Sequence, residues 1–407
     1  MNDPARPAAL TARWVVPIAG PPLHRGTVEL AADGTVAAVH DRADARDGAV
    51  DLGPVALLPG LVNCHTHLEF SDFARPIPAP GTFADWVAAT VAARRSRGGA
   101  TMDRVNRGLA ESLAAGVTTV GEIATAGWNA AELPPPLQRP NLVAFGELIA
   151  PRDPAAALAA AREFLANAAT DPPDVARGLS PHAPYSVHPA LPALLTGEHA
   201  PRVPLATHLL ETREELDLMT SGTGPLAAAM ARLSATRGDF GGDRLRDDFL
   251  RPLDRCERGL MVHGTYLTRE DIDRLADPTR PHLSVIYCPR THAHFRHPPH
   301  PWRDLLAAGV RVALGTDGRG SNPDLSVWNE LRFLHASFPD VPAATLLSLA
   351  TAAGADALGV PAGRLAPGAA ADLCVIALPE DTGDVWRDVM QPAAAPCGTW
   401  RRGVRVA

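Results

Sequence analysis

A (β/α)8 barrel of the TIM type, carrying a small β-sandwich-like domain formed from both chain termini, is the fold this sequence predicts. Three observations predict it. Eight short apolar runs alternate with Ala- and Leu-rich helical stretches, β-type patterning is confined to the two chain ends, and histidines or an aspartate stand at the carboxyl ends of several runs.

The N-terminal stretches TARWVVPI, GTVELAADG and TVAAVHD alternate with period two and are punctuated by Gly and Asp-Gly, the pattern of a small β unit. The tail segments GRLAPGAAADLCVIAL and TWRRGVRVA read alike, so residues 1–56 and 362–407 are assigned to one composite β domain. Between them, residues 57–361 form the barrel. Its strand candidates are 57–65, 116–123, 141–149, 174–182, 204–208, 259–264, 282–288 and 311–317. Candidate helices fall at 83–95, 103–115, 154–168, 211–220, 224–236, 268–276, 301–309 and 324–336. Eight such alternations predict parallel pairing and fit a closed barrel of about 250–300 residues. An open doubly wound sheet is the alternative, but no phosphate-type glycine loop accompanies the strands. Residues 221–258, an amphipathic helix followed by a charged, Gly-containing stretch, read as an elaborated loop over the barrel mouth.

Composition narrows the function classes. Of 407 residues, 46% are apolar and 20% charged, a globular balance able to bury a large core. No apolar run approaches the ~18 residues of a membrane span, and MNDPARPAALTARWVV lacks the form of a secretory signal. The net charge of -7 argues against nucleic acid or an anionic membrane as partner. Five widely spaced cysteines without a C-x-x-C pair suit free thiols in a reducing cytoplasm. All 38 basic residues are arginine. A lysine Schiff base, a lysine general base and a carboxylated-lysine metal bridge are therefore excluded.

The chemistry sits at the strand ends. The first strand runs through LLPGLV into His65-Thr66-His67, the fourth ends in His182, the fifth in His208, the sixth in His263 and the eighth in Asp317. In a barrel these ends converge on one mouth, where active sites lie. Side chains two apart on a strand point the same way, so His65 and His67 can grip one ion. With His208 and Asp317 they supply three nitrogens and a carboxylate, a set suited to Zn²⁺ or Fe²⁺ with a position left open for water. Each member has a plainer reading: a surface role for His208, which stands in THLLETREE, and a helix cap for Asp317. Cys64 reads as packing rather than as a nucleophile.

The pattern PGLVNCHTHLE, HLLETREE, VHGTYL, CPRT, LGTDGRGSN and AGRLAPGAAADLCVI resembles the amidohydrolase superfamily over nearly the whole chain. The branch it resembles holds cytosine, guanine and S-adenosylhomocysteine deaminases and triazine chlorohydrolases. The resemblance implies one divalent ion on His65, His67, His208 and Asp317, with zinc the first choice and iron the second. It implies that Asp317 also accepts a proton from the attacking water, that His263 orients the nucleophile, and that Glu211, in H-x-x-E, shuttles a proton to the leaving nitrogen. Binuclear relatives carry a carboxylated lysine after the fourth strand; here His182 stands at that strand end, which implies a single metal and makes His182 a substrate contact or a supporting hydrogen-bond partner. HTHLEFS followed by GTFADWV resembles aminodeoxyfutalosine deaminases, where Glu69 would pair with a ring N–H or a ribose hydroxyl, or else with an arginine such as Arg75. CPRTHAHFRHPPHP departs from the family turn; its His292, His294, His297 and His300 read as substrate lining or a solvated loop in preference to a second metal site.

The expected activity is deamination of an amino-substituted heterocycle, a purine base or adenine-type nucleoside, with a small-molecule substrate as partner and a homodimer as the expected assembly. Dechlorination of a triazine, opening of a cyclic amide or guanidine, and a non-enzymatic metal-binding barrel are the alternatives.

Overall fold

The computed structural model describes residues 7–41, 49–149, 152–195, 202–232 and 243–407. Eight parallel strands pair in chain order: β1 (Leu61–Thr66), β2 (Val117–Ala124), β3 (Asn141–Leu148), β4 (Val175–Pro181), β5 (Leu205–Leu209), β6 (Gly259–His263), β7 (Leu283–Tyr287) and β8 (Arg311–Leu314). Most are buried along their whole length, as expected of strands covered on both faces. Val62, Ile123, Val143, Ala206, Leu260, Ile286 and Ala313, from seven of the eight strands, share one apolar cluster with Ala355, Ala357 and Leu358. Residues from opposite sides of a ring meet only through its interior, so this cluster is the barrel's filling, plugged by helix Ala352–Leu358. Cys64 belongs to it, which makes this thiol a packing group.

The ring closes beside the predicted ligands. Thr316 and Asp317 both donate backbone N–H groups to the His65 carbonyl at 3.0 Å, and Thr66 Oγ1 donates to the Asp317 carbonyl at 2.6 Å. The seam between β8 and β1 is thus sewn at the carboxyl end of the strands.

Both chain ends build the remaining sheets. One orders Val404–Arg405, Ala395–Arg401, Leu373–Ala377, Val55–Pro59, Trp14–Val15 and Leu23–His24; the other orders Val36–His40, Thr27–Leu30, Ala9–Thr11 and Ala49–Asp51. The apolar run 57–65, expected as one strand, is therefore two. Its first half pairs with Leu373–Ala377, and the chain passes into β1 at Gly60. A Cβ at Gly60 would lie 1.9 Å from Thr118 Oγ1, so only glycine lets the two sheets approach there.

Helix α1 (Phe83–Ser96) starts at a capping box between Thr82 and Asp85. Glu214 also accepts the Phe83 and Ala84 N–H groups at 2.6 and 3.1 Å, tying α1 to the first turn of helix Arg213–Ser221 after β5. The 221–258 segment divides. Helix Gly224–Arg232 places Leu226 and Met230 against Phe83 and Tyr185 at the mouth. Helix Asp243–Arg255 instead sends Phe249, Leu250 and Leu253 into the main core, so this half is part of the helical layer rather than a loop over the mouth. Residues 233–242 lie outside the described residues. Among the described residues no helix is long and apolar enough to cross a membrane.

Gly60→Ala is expected to destabilise the protein by about 2 kcal/mol or more, because buried Thr118 must give way. Gly20→Ala, where the added methyl meets nothing within 4 Å, is the control and should be near neutral. Urea denaturation midpoints compare the two; equal midpoints would contradict the close approach.

Candidate metal centre and active site

His65, His67, His208 and Asp317 offer donor atoms that all lie within 4.8 Å of one another, and all four residues are buried. His208 Nε2 stands 3.1 Å from both His65 Nε2 and His67 Nε2. Asp317 Oδ1 lies 3.4 Å from His65 Nε2 and 3.6 Å from His67 Nε2. Strand alternation delivers His208, two residues after inward-facing Ala206. A break in the β1–β2 register between Asn63 and Thr66 re-aims the end of β1. His208 Nδ1 donates to the His182 carbonyl at 2.9 Å, which fixes its tautomer and leaves the Nε2 lone pair for the centre. Three imidazole nitrogens and a carboxylate crowded this closely, away from water, fit a divalent cation by their chemistry. Burial and neighbouring His65 press His67 down to about 3, so its ring is a lone-pair donor at neutral pH. Burial acts against the Asp317 carboxylate, but His65 and His67 beside it hold it below the usual range.

The backbone here is strained and braced. Leu210, His263 and Asp317 have φ of 57°, 72° and 55°, left-handed values that non-glycine residues seldom adopt. His300, stacked on Tyr287 at 4.0 Å, donates Nε2–H to the His263 carbonyl at 2.5 Å. Ser321 donates its hydroxyl to Asp317 Oδ2, leaving Oδ1 to the centre. Glu215 accepts the Leu210 and Glu211 N–H groups, both at 2.9 Å, and so holds the turn that presents Glu211.

Glu211 is buried, with Oε1 3.6 Å from His263 Nε2. Burial, then the negative charges of Asp317 and Glu215, push its carboxyl well above the ordinary range. Glu215 is itself raised to about 7 by burial, against the backbone N–H groups it accepts. A buried carboxyl that holds its proton more tightly than usual suits the part of a proton donor.

A cavity of about 190 Å³ opens above the centre, more than ten times the ~10–15 Å³ that one water needs by the same kind of measure. Phe70, Phe83, Trp86, Tyr185 and Met230 give it apolar walls, and His182, His208, Glu211, His263 and Asp317 line it as well. His182 is at the end of β4, its Nδ1 2.8 Å from Glu147 Oε1. Burial opposes ionisation of Glu147, but His182 and then Arg94 bring it down to about 2.

Seven of the eight residues named from sequence therefore meet at one mouth. Glu69 does not line the cavity; its buried carboxylate is held bidentately by Arg94, which does. Arg94, from α1, is its partner rather than Arg75. The loop histidines are not cavity lining: His300 braces His263, and His294 Nε2 meets the Ile77 carbonyl at 3.0 Å. Glu147, Arg94, Glu215 and Ser321 went unnamed in the sequence reading. Glu147 alone has a usable signal, since it lies near the carboxyl end of β3 as His182 follows the end of β4.

The chain is similar to several known proteins. Residues 56–405 match the amidohydrolase family. A 5-methylthioadenosine/S-adenosylhomocysteine deaminase of Halobacterium salinarum is 31% identical over 369 residues, covering 84% of this chain and 78% of that protein. An aminodeoxyfutalosine deaminase of Deinococcus radiodurans is 30% identical over 334 residues, covering 78% and 75%. The crystal structure of an adenosine deaminase from Xanthomonas campestris with bound zinc superposes with a TM-score of 0.73 at 26% identity, covering 98% of this chain and 92% of that one.

Elemental analysis of dialysed protein is expected to give one divalent ion per chain. His208→Ala should lose it, and Ser321→Ala should weaken retention by about 10–100-fold through Asp317. Full retention in His208→Ala would contradict the ligand set.

Proposed function

The chain belongs to the amidohydrolase family, and on that premise we propose that it is an aminohydrolase that removes the exocyclic amino group of a nitrogen heterocycle as ammonia. The substrate class is a purine base or adenine-type nucleoside, with aminodeoxyfutalosine as the specific candidate. The deaminase names of the Halobacterium and Deinococcus relatives support this class. The observation that carries it is Glu211: a buried carboxyl, raised in pKa, facing the cavity beside the donor cluster.

We assign the metal as zinc, held by His65, His67, His208 and Asp317; this donor set suits zinc well, and the Xanthomonas structure is described with bound zinc. Bound there, the ion supplies Lewis-acid activation of water at neutral pH. The chain's own groups do the rest. The flat heterocycle enters between the aromatic walls, with His182 at its edge. Asp317 accepts a proton from the water that adds to the amine-bearing carbon. His263 holds the attacking oxygen in place, its own carbonyl pinned by His300. Glu211 gives its proton to a ring nitrogen, takes the proton of the added hydroxyl and passes it to the departing amine. The C–N bond breaks as the carbonyl forms, ammonia leaves, and the proton held by Asp317 restores Glu211. Dechlorination at the same centre would need no proton at its leaving group, so a buried carboxyl facing the cavity favours the amine.

Ammonia release is expected from purified, metal-loaded enzyme with at least one of adenosine, 5′-deoxyadenosine, 5-methylthioadenosine, S-adenosylhomocysteine, aminodeoxyfutalosine, adenine or guanine. Glu211→Gln should lower kcat by about 10²–10⁴ while the metal stays bound. Silence across that panel, or a fully active Glu211→Gln, would overturn the reading.

A further inference from the structure

CPRT after β7 and TDGRGSN after β8 meet next to Asp317, and one buried acid joins them. Helix Val327–Ser337 carries that acid, Glu330, which is 0% exposed. Its Oε1 accepts from Arg290 Nε and from Asn322 Nδ2, both at 2.6 Å, while Oε2 accepts the Arg290 backbone N–H at 2.9 Å. Asn322 is buried as deeply, and its Nδ2 also donates to the Thr316 carbonyl at 2.8 Å. Neither side chain lines the cavity, so any effect on the chemistry passes through the residues they hold.

The Thr316 carbonyl belongs to the peptide group whose nitrogen is that of Asp317. The φ angle of Asp317 turns about the bond leaving that nitrogen, so clamping the peptide plane fixes where its side chain starts. At the nitrogen end the clamp is the His65 carbonyl, 3.0 Å away; at the oxygen end it is Asn322. Together they hold φ at 55°. Glu330 decides which way the Asn322 amide faces. A reversed amide would set Oδ1 against a carbonyl and a carboxylate, both acceptors. Nδ2 therefore turns to them, although Oδ1 is left without a partner among the described residues. Glu330 in turn needs a cation, which Arg290 supplies, and Asp324 grips Arg290 Nη1 and Nη2 at 2.9 and 2.6 Å.

We propose that Asn322 and Glu330 are positioning residues for Asp317: through the Thr316 carbonyl they hold the 316–317 peptide so that Asp317 Oδ1 faces the imidazole nitrogens, with Arg290 fixing Glu330. The proposal rests on Asp317 being a metal ligand, as assigned above, and needs no particular substrate.

The test is the zinc affinity of the full-length protein, measured by competition with a chromophoric chelator. The visible spectrum of the Co²⁺-substituted protein gives a second reading of the ligands. Glu330→Ala and Asn322→Ala should each weaken zinc binding by about 10–100-fold, the range for groups that orient a ligand, and should shift the cobalt bands. In an Asp317→Ala background the same substitutions should cost less than about 2-fold, because they act only through that carboxylate. Asp317→Ala alone should weaken binding; unchanged affinity there would remove the ligand assignment and the proposal with it. Asp317→Ala can weaken zinc while Glu330→Ala and Asn322→Ala lower only the melting temperature, with affinity and spectrum as in wild type. In that case the ligand set stands and the proposal is overturned. Losses of equal size in both backgrounds would overturn it as well. Should Glu330→Ala fail to fold, Asn322→Ala, which leaves Glu330 paired with Arg290, carries the same expectations.

Discussion

Electron pairs brought together out of water are the constraint on which the structure turns. Three imidazole nitrogens and a carboxylate oxygen are packed within 4.8 Å by strands that start far apart in sequence. A shared proton relieves at most one pair at a time, whereas a divalent cation relieves them all. The surrounding architecture serves that convergence. The barrel seam is sewn beside the ligands, where the His65 carbonyl receives two N–H groups from Thr316 and Asp317.

Holding this arrangement has a conformational cost of about 1–3 kcal/mol for each strained residue. Leu210, His263 and Asp317 bear it, and each has a dedicated brace: Glu215 for the turn at Leu210, His300 for His263, Thr66 and Ser321 for Asp317. Several acids around the mouth find hydrogen-bond donors or a cation. Glu122 accepts the Leu68 N–H, Glu214 caps α1, and Glu69 and Glu147 share Arg94. In a chain without lysine, every such cation is a guanidinium, whose planar fork can serve two carboxylates at once.

Much of this was legible in the sequence, because strand periodicity and strand-end placement are local signals. The eight apolar runs, and the histidines that end them, required no knowledge of which strand neighbours which. The misses are tertiary. Nothing in LLPGLVNCH marks that its first half pairs with the distant strand Leu373–Ala377 until the fit of Gly60 against Thr118 is seen. Glu69 is matched by Arg94 rather than nearby Arg75 because α1 folds back over the mouth. His300 reads in sequence as substrate lining or part of a solvated loop, yet it is buried on Tyr287, since a solvated and a bracing histidine have the same one-letter code.

Anomalous diffraction at the metal absorption edge, on crystals of protein carrying its native ion, tests the central claim most directly. The account predicts one strong peak at about 2.0–2.2 Å from Nε2 of His65, His67 and His208 and from Oδ1 of Asp317. A metal-replete crystal with no peak there, or with its peak among His292, His297 and His300, would contradict it.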